Sequence, residues 1–310
     1  MHPFTHIASR SVSALGEERL IAEIQRWLGS VSPRAPFGIG DDCAVLPPSR
    51  GRQLITVDPV IYPRHFNDRV AARHVGAKLL KRNLSDLAAM GGRPTAAVLA
   101  LTLAPNVSLG WLEQFYRGLA ACARQYHVRI VGGDIAQADG TLAASLTLLG
   151  TATGPRTLSR RGARAGDFIY VTGRLGRSLY SGHHYAFIPR LREGAWLARR
   201  EEVRAMMDVS DGLAKDLHAL TPKNAIPAVI ARAVPRQKHA SLRAALTDGE
   251  DYELLFALSG SCDPHRFAEK WRRAFPRVRL TQIGRFVTGD IAQKGLVNFA
   301  HYHGYEHLLG

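Results

Sequence analysis

Acidic residues stand beside glycines and apolar runs at several points of a chain that is otherwise strongly basic. The 310 residues contain 26 Asp and Glu against 41 Lys and Arg, for a formal net charge of +15. The acidic residues in such positions are Asp41, Asp42, Asp58, Asp86, Asp134, Asp208 and Asp211. Carboxylates gathered in one place repel each other unless a cation joins them, and Mg²⁺ is the hard cation that takes oxygen ligands and acts on phosphates. The pattern indicates metal-assisted chemistry on a phosphate compound if these residues meet in space; taken singly, each also fits a turn or a helix cap.

The common signatures of nucleotide enzymes are missing from the sequence. It contains no GxxxxGK[ST] phosphate loop, no HRD and DFG pair and no GxSxG nucleophile elbow. A phosphate enzyme with this sequence is therefore not of the commonest kinds.

Length and composition predict a two-domain globular protein. A single core rarely serves 310 residues, and 46% hydrophobic with 22% charged residues is typical of ordinary globular chains. The basic residues are dispersed, without zinc-finger spacing or an aromatic and basic RNA-binding signature, so we expect no nucleic-acid partner. Three distant cysteines and the lack of a long apolar run predict a cytoplasmic protein with no membrane association.

Hydrophobic periodicity predicts two successive units of mixed α/β (α+β) structure. Helices are predicted at 17–28, 68–90, 112–123, 212–220 and 267–275, and strands at 53–57, 95–103, 128–131, 142–149, 168–172, 226–231, 253–258 and 278–283. A turn near Gly154 and Pro155 marks the boundary, giving domains 1–154 and 155–310. In this interpretation Asp58 closes a strand, and Asp134 follows another strand and two glycines.

Seven segments, taken together and in this order, carry a resemblance to a known family. They are GIGDDCAVL (38–46), NLSDLAAMGGRP (83–94), VGGD (131–134), LSRRGARAGDFIYVTGRLG (158–176), MDVSDGLAKDL (207–217), GEDYELLF (249–256) and IGRF (283–286). The chain resembles the thiamine-monophosphate kinases, members of the superfamily of aminoimidazole ribonucleotide synthetase. The resemblance implies a two-domain fold, with an N-terminal α+β domain that pairs in a homodimer and a C-terminal α/β domain. It also implies transfer of the γ-phosphoryl group of ATP to thiamine monophosphate with Mg²⁺, giving thiamine diphosphate.

The resemblance also implies roles for individual residues. The implied metal ligands are Asp42, Thr56, Val57 through its carbonyl, Asp58, Asp86, Asp134, Asp208 and Asp211. The implied ATP-binding residues are Gly133, Asp134, Arg160 and Ser210, and the implied substrate-binding residues are His65, Glu250 and Tyr305. Asp42, Asp134, Arg160 and Asp211 would be the catalytic residues among them.

The sequence departs from the family pattern beside the implied metal and substrate positions. Where the family usually has Ser-Thr-Asp-Thr, this sequence has Thr56-Val57-Asp58-Pro59. Where the family has Gly-Gly-Glu-Asp, Asp248 replaces the first glycine. Two alternatives therefore stay open: a related ATP-dependent enzyme with another acceptor, and a degenerate nucleotide-binding protein.

Overall fold

The computed structural model describes residues 1–40, 43–49, 51–289 and 295–306. The chain divides into two compact units. We call Met1–Leu87 with Arg93–Thr151 the N-terminal unit and Ala88–Gly92 with Ala152–Gly310 the C-terminal unit. The predicted fold class is confirmed, since each unit combines helices with one sheet.

The sheet of the N-terminal unit has the strand order β1-β4-β2-β3. The elements run α1 (Glu17–Leu28), β1 (Gln53–Ile61), α2 (Ala72–Ala89), β2 (Gly92–Leu103), α3 (Leu109–Tyr126), β3 (Arg129–Gln137) and β4 (Leu142–Ala152). β1 pairs antiparallel with β4, and β2 pairs parallel with β3. The outer position of β1 accommodates Pro59, which has no N–H to donate to a second neighbouring strand.

The prediction that Asp58 and Asp134 lie at strand ends is wrong. β1 continues past Asp58 to Ile61, and β3 continues past Asp134 to Gln137. Proline is tolerated in the outer strand, and glycine in β3 lets the backbones approach instead of ending the strand: a Cβ at Gly133 would lie 2.2 Å from the Leu99 carbonyl oxygen.

The sheet of the C-terminal unit has the order β6-β8-β5-β9-β7, with every pair antiparallel. Its strands are β5 (Phe168–Thr172), β6 (Val203–Asp208), β7 (Ile226–Val229), β8 (Leu254–Leu258) and β9 (Leu280–Val287). Its helices are α4 (Ser178–Ser181), α5 (His183–Ala186), α6 (Leu191–Ala198), α7 (Leu213–Leu220), α8 (Leu242–Thr247) and α9 (Pro264–Ala274).

Both faces of this second sheet are covered. All five residues of β5 and of β8 are buried, and separate apolar clusters form on the two faces, one around Leu217 and Phe286 and the other around Phe267 and Trp271. The predictions missed α4, α5, α6 and α8, because these helices are at most eight residues long and present too few turns for a clear period.

No helix in the described part of the chain is long and apolar enough to cross a membrane.

Candidate active site

Two of the predicted metal ligands in the N-terminal unit lie in direct contact. The Thr56 hydroxyl on β1 donates a hydrogen bond to Asp86 Oδ2 on α2, at 2.5 Å. Asp86 is half-buried and lies in the last turn of α2, where its carboxylate contacts the strand. Two residues that are 30 apart in sequence thus place their side-chain oxygens together.

Asp58 occupies the same face of β1, two residues further on. Arg82, one helical turn before Asp86 on α2, donates from Nη2 to Asp58 Oδ1 at 3.1 Å and from Nη1 to the Pro59 carbonyl at 2.6 Å. The guanidinium therefore positions this carboxylate and compensates its charge.

Val57 points away from this contact. Side chains alternate along a strand, and the Val57 side chain is 60% exposed whereas Thr56 and Asp58 are half-buried toward α2. The hydroxyl that this sequence keeps from the family pattern, that of Thr56, is therefore the one that contacts Asp86.

Gly133 and Asp134 line an apolar cleft of about 130 Å³ in the N-terminal unit. The rest of its lining comes from α1, α3, neighbouring strands and the loop before β1: Glu17, Ile21, Ile24, Leu28, Ile39, Leu99, Tyr116, Ile130, Gly132 and Ile135. Tyr116 is 3% exposed, and its burial raises the pKa of the phenol. The cleft offers an apolar surface beside the exposed carboxylate of Asp134.

His65 lies at the turn that follows β1. Its Nδ1 accepts a hydrogen bond from the Ile61 N–H at 3.0 Å, and its carbonyl accepts one from the buried Lys78 ammonium at 2.9 Å. These bonds fix the turn, and the ring remains half-buried.

In the C-terminal unit, the segment Asp208 to Gly212 passes from the end of β6 into α7. Asp208 is the last residue of β6 and is 2% exposed. The side chain of Asp216 accepts hydrogen bonds from the N–H groups of Ser210 and Asp211, at 3.0 and 3.1 Å. The N-cap residue of α7 is Gly212, and Ser210 precedes it by two residues.

Asp216 lies among other carboxylates. Burial, with Asp208 and Asp211 nearby, raises the pKa of Asp216 to about 8, although the two N–H donors act in the opposite direction. Asp211 itself forms an ion pair with Lys215 at 2.9 Å.

The predicted substrate residues meet this same segment. The Glu250 N–H donates to the Ser210 carbonyl at 2.7 Å, and the Tyr305 N–H donates to the Asp211 carbonyl at 2.8 Å. Lys215 also donates to the Tyr305 carbonyl, at 2.5 Å. The C-terminal unit thus brings together Ser210, Asp211, Glu250 and Tyr305, which are up to 95 residues apart in sequence.

Glu250 is held from both sides in an unusual backbone conformation. Its φ is 53°, in the left-handed region that side chains other than glycine adopt rarely. His184 Nδ1 lies 3.5 Å from Glu250 Oε2, and the Tyr252 hydroxyl donates to Oε1 at 3.3 Å. Such strain persists where the surrounding contacts impose it, often at ligand sites.

The next two acidic residues of this loop support it from inside. Asp251, fully buried, accepts from the Gly176 N–H and from the Ser178 hydroxyl at 2.6 Å, and burial raises its pKa to about 7 against these hydrogen bonds. Glu253, 2% exposed, receives two hydrogen bonds from Arg190 at 2.7 and 2.6 Å and one from Thr172. Asp248, which stands where the family pattern has glycine, accepts a hydrogen bond from the Arg177 N–H at 2.8 Å.

Arg160 lies in the loop that runs beside β6. The neighbouring Ser159 carbonyl accepts from the Met206 N–H at 2.8 Å, and Leu158 is buried. The Arg160 side chain is exposed and has no ion pair within the described part of the chain.

Sequence reasoning missed three residues that lie beside the candidate site residues of the two units. Asp216 carried a signal, since it belongs to the quoted segment 207–217, but its role depends on the helix turning its side chain back toward Ser210 and Asp211. His184 and Tyr116 carried none, because only the folded chain shows that they adjoin Glu250 and the cleft.

No group of three or more His, Cys, Asp or Glu side chains that could hold a metal ion occurs among the described residues. Asp41 and Asp42 lie outside them. The ligand roles predicted for Thr56, Val57, Asp58, Asp86, Asp134, Asp208 and Asp211 accordingly stay predictions.

Comparison with known proteins decides the family. A family profile described as AIR synthase related protein, N-terminal domain, matches residues 40–154. The thiamine-monophosphate kinase of Synechococcus elongatus is 34% identical over 285 residues, covering 82% of this chain and 85% of that relative. This chain belongs to the thiamine-monophosphate kinase family.

Solved structures of the family agree with this assignment. The thiamine-monophosphate kinase of Stenotrophomonas maltophilia aligns over 92% of this chain and 95% of its own, with 30% identity and a TM-score of 0.70. AaThiL complexed with AMPPCP and TMP aligns over 90% of this chain and 93% of its own, with 27% identity and a TM-score of 0.66. The predicted family is therefore confirmed.

Proposed function

We propose that this protein transfers the γ-phosphoryl group of ATP to thiamine monophosphate, producing thiamine diphosphate and ADP. The observation that carries the proposal is the similarity, over nine-tenths of the chain, to AaThiL complexed with AMPPCP and TMP. AMPPCP is an ATP analogue whose β,γ-bridge resists transfer, so that complex pairs a nucleotide with a second phosphate compound.

The nucleotide is proposed to bind at the cleft lined by Gly133 and Asp134. Its apolar walls suit a flat aromatic base, and the exposed carboxylate of Asp134 beside them is available to a phosphate-bound metal ion. The buried Tyr116 adds a further aromatic surface to this cleft.

The described oxygen ligands fit Mg²⁺ in number and type. Mg²⁺ is commonly held by one or two carboxylates together with substrate phosphates and water, so a full cage of protein ligands is not required. The contact between Thr56 and Asp86, with Asp58 on the same strand face, supplies such a partial set, and Asp134, Asp208, Asp211 and Asp42 are proposed to complete the ligands. Bound there, Mg²⁺ would neutralise charge on the phosphates of ATP.

The chain's own residues then have to orient two phosphate compounds. A phosphate monoester is largely ionised at pH 7, since its second pKa is about 6, so the attacking oxygen needs no general base. Arg160, exposed and without an ion pair among the described residues, is proposed to bind the transferred phosphoryl group, together with the Ser210 hydroxyl. Catalysis rests on alignment and charge compensation.

The thiamine moiety is proposed to contact Glu250 and Tyr305, with His65. A carboxylate fixed by His184 and Tyr252 suits a cationic, hydrogen-bond-donating ring system such as thiamine. Asp248 accepts from the Arg177 N–H, so this departure has a structural role in the loop and is compatible with the same acceptor.

A homodimer formed through β1 is part of the proposal. Ile55, Val57 and Ile61, on the strand face opposite Thr56, are 72%, 60% and 38% exposed on an outer strand, an apolar row that a second copy could cover. Val57→Asp is expected to yield monomers in sedimentation velocity where the wild type sediments as a dimer; an unchanged dimer would locate the interface elsewhere. The cytoplasmic location likewise stays a prediction.

The test is direct product formation. Purified protein incubated with ATP, thiamine monophosphate and Mg²⁺ is expected to produce thiamine diphosphate, separated by chromatography, and none when the metal is chelated. A panel of other phosphate acceptors assayed for ADP release distinguishes a related enzyme with another acceptor. Tight ATP binding without turnover on any acceptor would support the degenerate protein instead.

A further inference from the structure

A cavity of about 310 Å³ in the N-terminal unit is lined by four arginines from three helices. We call it the arginine cavity; its lining residues are Arg26, Trp27, Leu28, Gly29, Arg73, Arg117 and Arg124. None of these residues belongs to the predicted catalytic, metal or substrate set.

Close helix packing brings the arginines together. A Cβ at Gly76 would lie 2.0 Å from the Phe115 carbonyl oxygen, and one at Gly118 would lie 2.0 Å from the Arg73 carbonyl oxygen. Glycine at these two positions thus lets α2 approach α3 directly and places Arg73 beside the α3 surface. Arg117 and Arg124, seven residues apart, lie two turns apart on one face of α3.

Two of the four guanidinium groups are already compensated. Arg26 pairs with Glu23, and Arg117 pairs with Glu113 at 2.5 Å. Arg73 and Arg124 are exposed and have no ion pair with any residue that the structure describes. The arginine cavity therefore keeps a local excess of two positive charges.

The chemistry of this lining selects the ligand class. Guanidinium groups bind phosphate oxygens through paired hydrogen bonds, and they do so better than ammonium groups. The volume lies at the lower end of the range for small-molecule sites, about 300–1,000 Å³, which suits a compact anion. We propose that the arginine cavity binds a small polyphosphate group, of two or three linked phosphates, held chiefly by Arg73 and Arg124.

The arginine cavity adjoins the proposed nucleotide cleft. Leu28 lines both, and the Trp27 ring lies 5.9 Å from that of Tyr116, a residue of the cleft. The two sites are thus separated by a single layer of side chains within one unit.

The test measures binding alone, so its result is independent of the proposed kinase activity. Inorganic tripolyphosphate is titrated calorimetrically into the whole protein with EDTA present, because without a divalent cation the acidic residues of the proposed active site repel polyphosphate. Replacing both unpaired arginines, in Arg73→Ala with Arg124→Ala, is expected to weaken binding at least about tenfold, since one hydrogen bond to a charged group contributes at least that factor.

The matched control removes two other exposed arginines in Arg272→Ala with Arg273→Ala, on the last turn of α9. It is expected to bind tripolyphosphate within about twofold of the wild type, because neither residue lines the arginine cavity. Equal affinity in all three proteins would overturn the proposal, as would equal weakening in both double variants. So would binding of a single-stranded oligonucleotide, lost in the Arg73 and Arg124 variant, without binding of tripolyphosphate. Thermal unfolding verifies that both variants are folded.

Discussion

The acidic residues of the two units stand in different surroundings. In the N-terminal unit, Asp58, Asp86 and Asp134 lie on strand and helix surfaces and are half-buried or exposed; Asp58 contacts Arg82 and Asp86 contacts Thr56. In the C-terminal unit, the buried carboxyl groups of Asp251 and Glu253 hold loops through several hydrogen bonds each.

This difference separates acidic residues available to ligands from those that support structure. A half-buried carboxylate on a regular element can be neutralised at little cost to the fold, whereas a buried one whose partner is removed destabilises it strongly. Replacements in the N-terminal unit should therefore affect mainly activity, and those beneath the 248–253 loop mainly stability.

Asp86→Asn is expected to have the largest effect. Asparagine keeps an oxygen that can accept from Thr56, so folding should persist. Loss of the charge removes metal-dependent stabilisation of several kcal/mol, which lowers kcat/KM by about a thousandfold. The measurement is thiamine diphosphate formation at fixed Mg²⁺, with Asp139→Asn, an exposed acidic residue of the same unit, as the control. A wild-type rate in Asp86→Asn would contradict the inference that the acidic residues of the N-terminal unit serve mainly activity.

Arg190→Met tests whether the buried Glu253 in the C-terminal unit supports the stability of the fold. Glu253 would keep its charge in a buried position with only Thr172 as a described partner, and breaking such a pair costs about 3–5 kcal/mol in the free energy of unfolding. Urea denaturation measures the loss. The exposed pair of Arg117 with Glu113 gives the control, since Arg117→Met should cost about 1 kcal/mol or less. Similar losses in both variants would contradict the structural role of Glu253.

Asp251→Asn should change how stability depends on pH. In the unfolded chain this carboxyl loses its proton near pH 4, whereas burial raises its pKa to about 7 in the folded protein. The folded state therefore binds more protons between these values, and this group's contribution to stability is lost as the pH rises from about 4 to 7. The unfolding free energy of wild type relative to Asp251→Asn is expected to fall over that window, while Asp139→Asn shows no such trend. A difference that stays constant from pH 5 to 8 would contradict the raised pKa.

The sequence did not reveal which face of β1 is covered by the rest of the N-terminal unit and which is exposed. Side chains alternate along a strand, so Thr56 and Asp58 share one face of β1, and the apolar Ile55, Val57 and Ile61 would normally mark the opposite face as core. The structure leaves that row exposed on an outer strand and packs the polar face against α2. Periodicity alone cannot reveal this reversal, because the reversal depends on which element covers the sheet.

Loops account for most of the other differences. The short helices between β5 and β6 lack a clear period, so His184 could not be assigned to Glu250 from the sequence. Asp208 ends β6, a six-residue strand that the predictions also missed. Local pattern thus predicted residues inside or beside regular elements, and tertiary contacts determined the rest.

His184→Ala should have the smallest effect and should be selective for one substrate. The ring supports Glu250 from 3.5 Å, so its loss leaves the carboxylate less well oriented without removing it. A polar contact that contributes about 1 kcal/mol corresponds to a rise of about three- to tenfold in the KM for thiamine monophosphate. The kcat and the KM for ATP should stay close to wild type. His184→Asn, whose amide can replace Nδ1 as a donor, should restore the KM, and His218→Ala, an exposed histidine of α7, should leave it unchanged. A rise in the KM for ATP as large as that for thiamine monophosphate would show that His184 supports the whole unit and not the orientation of Glu250.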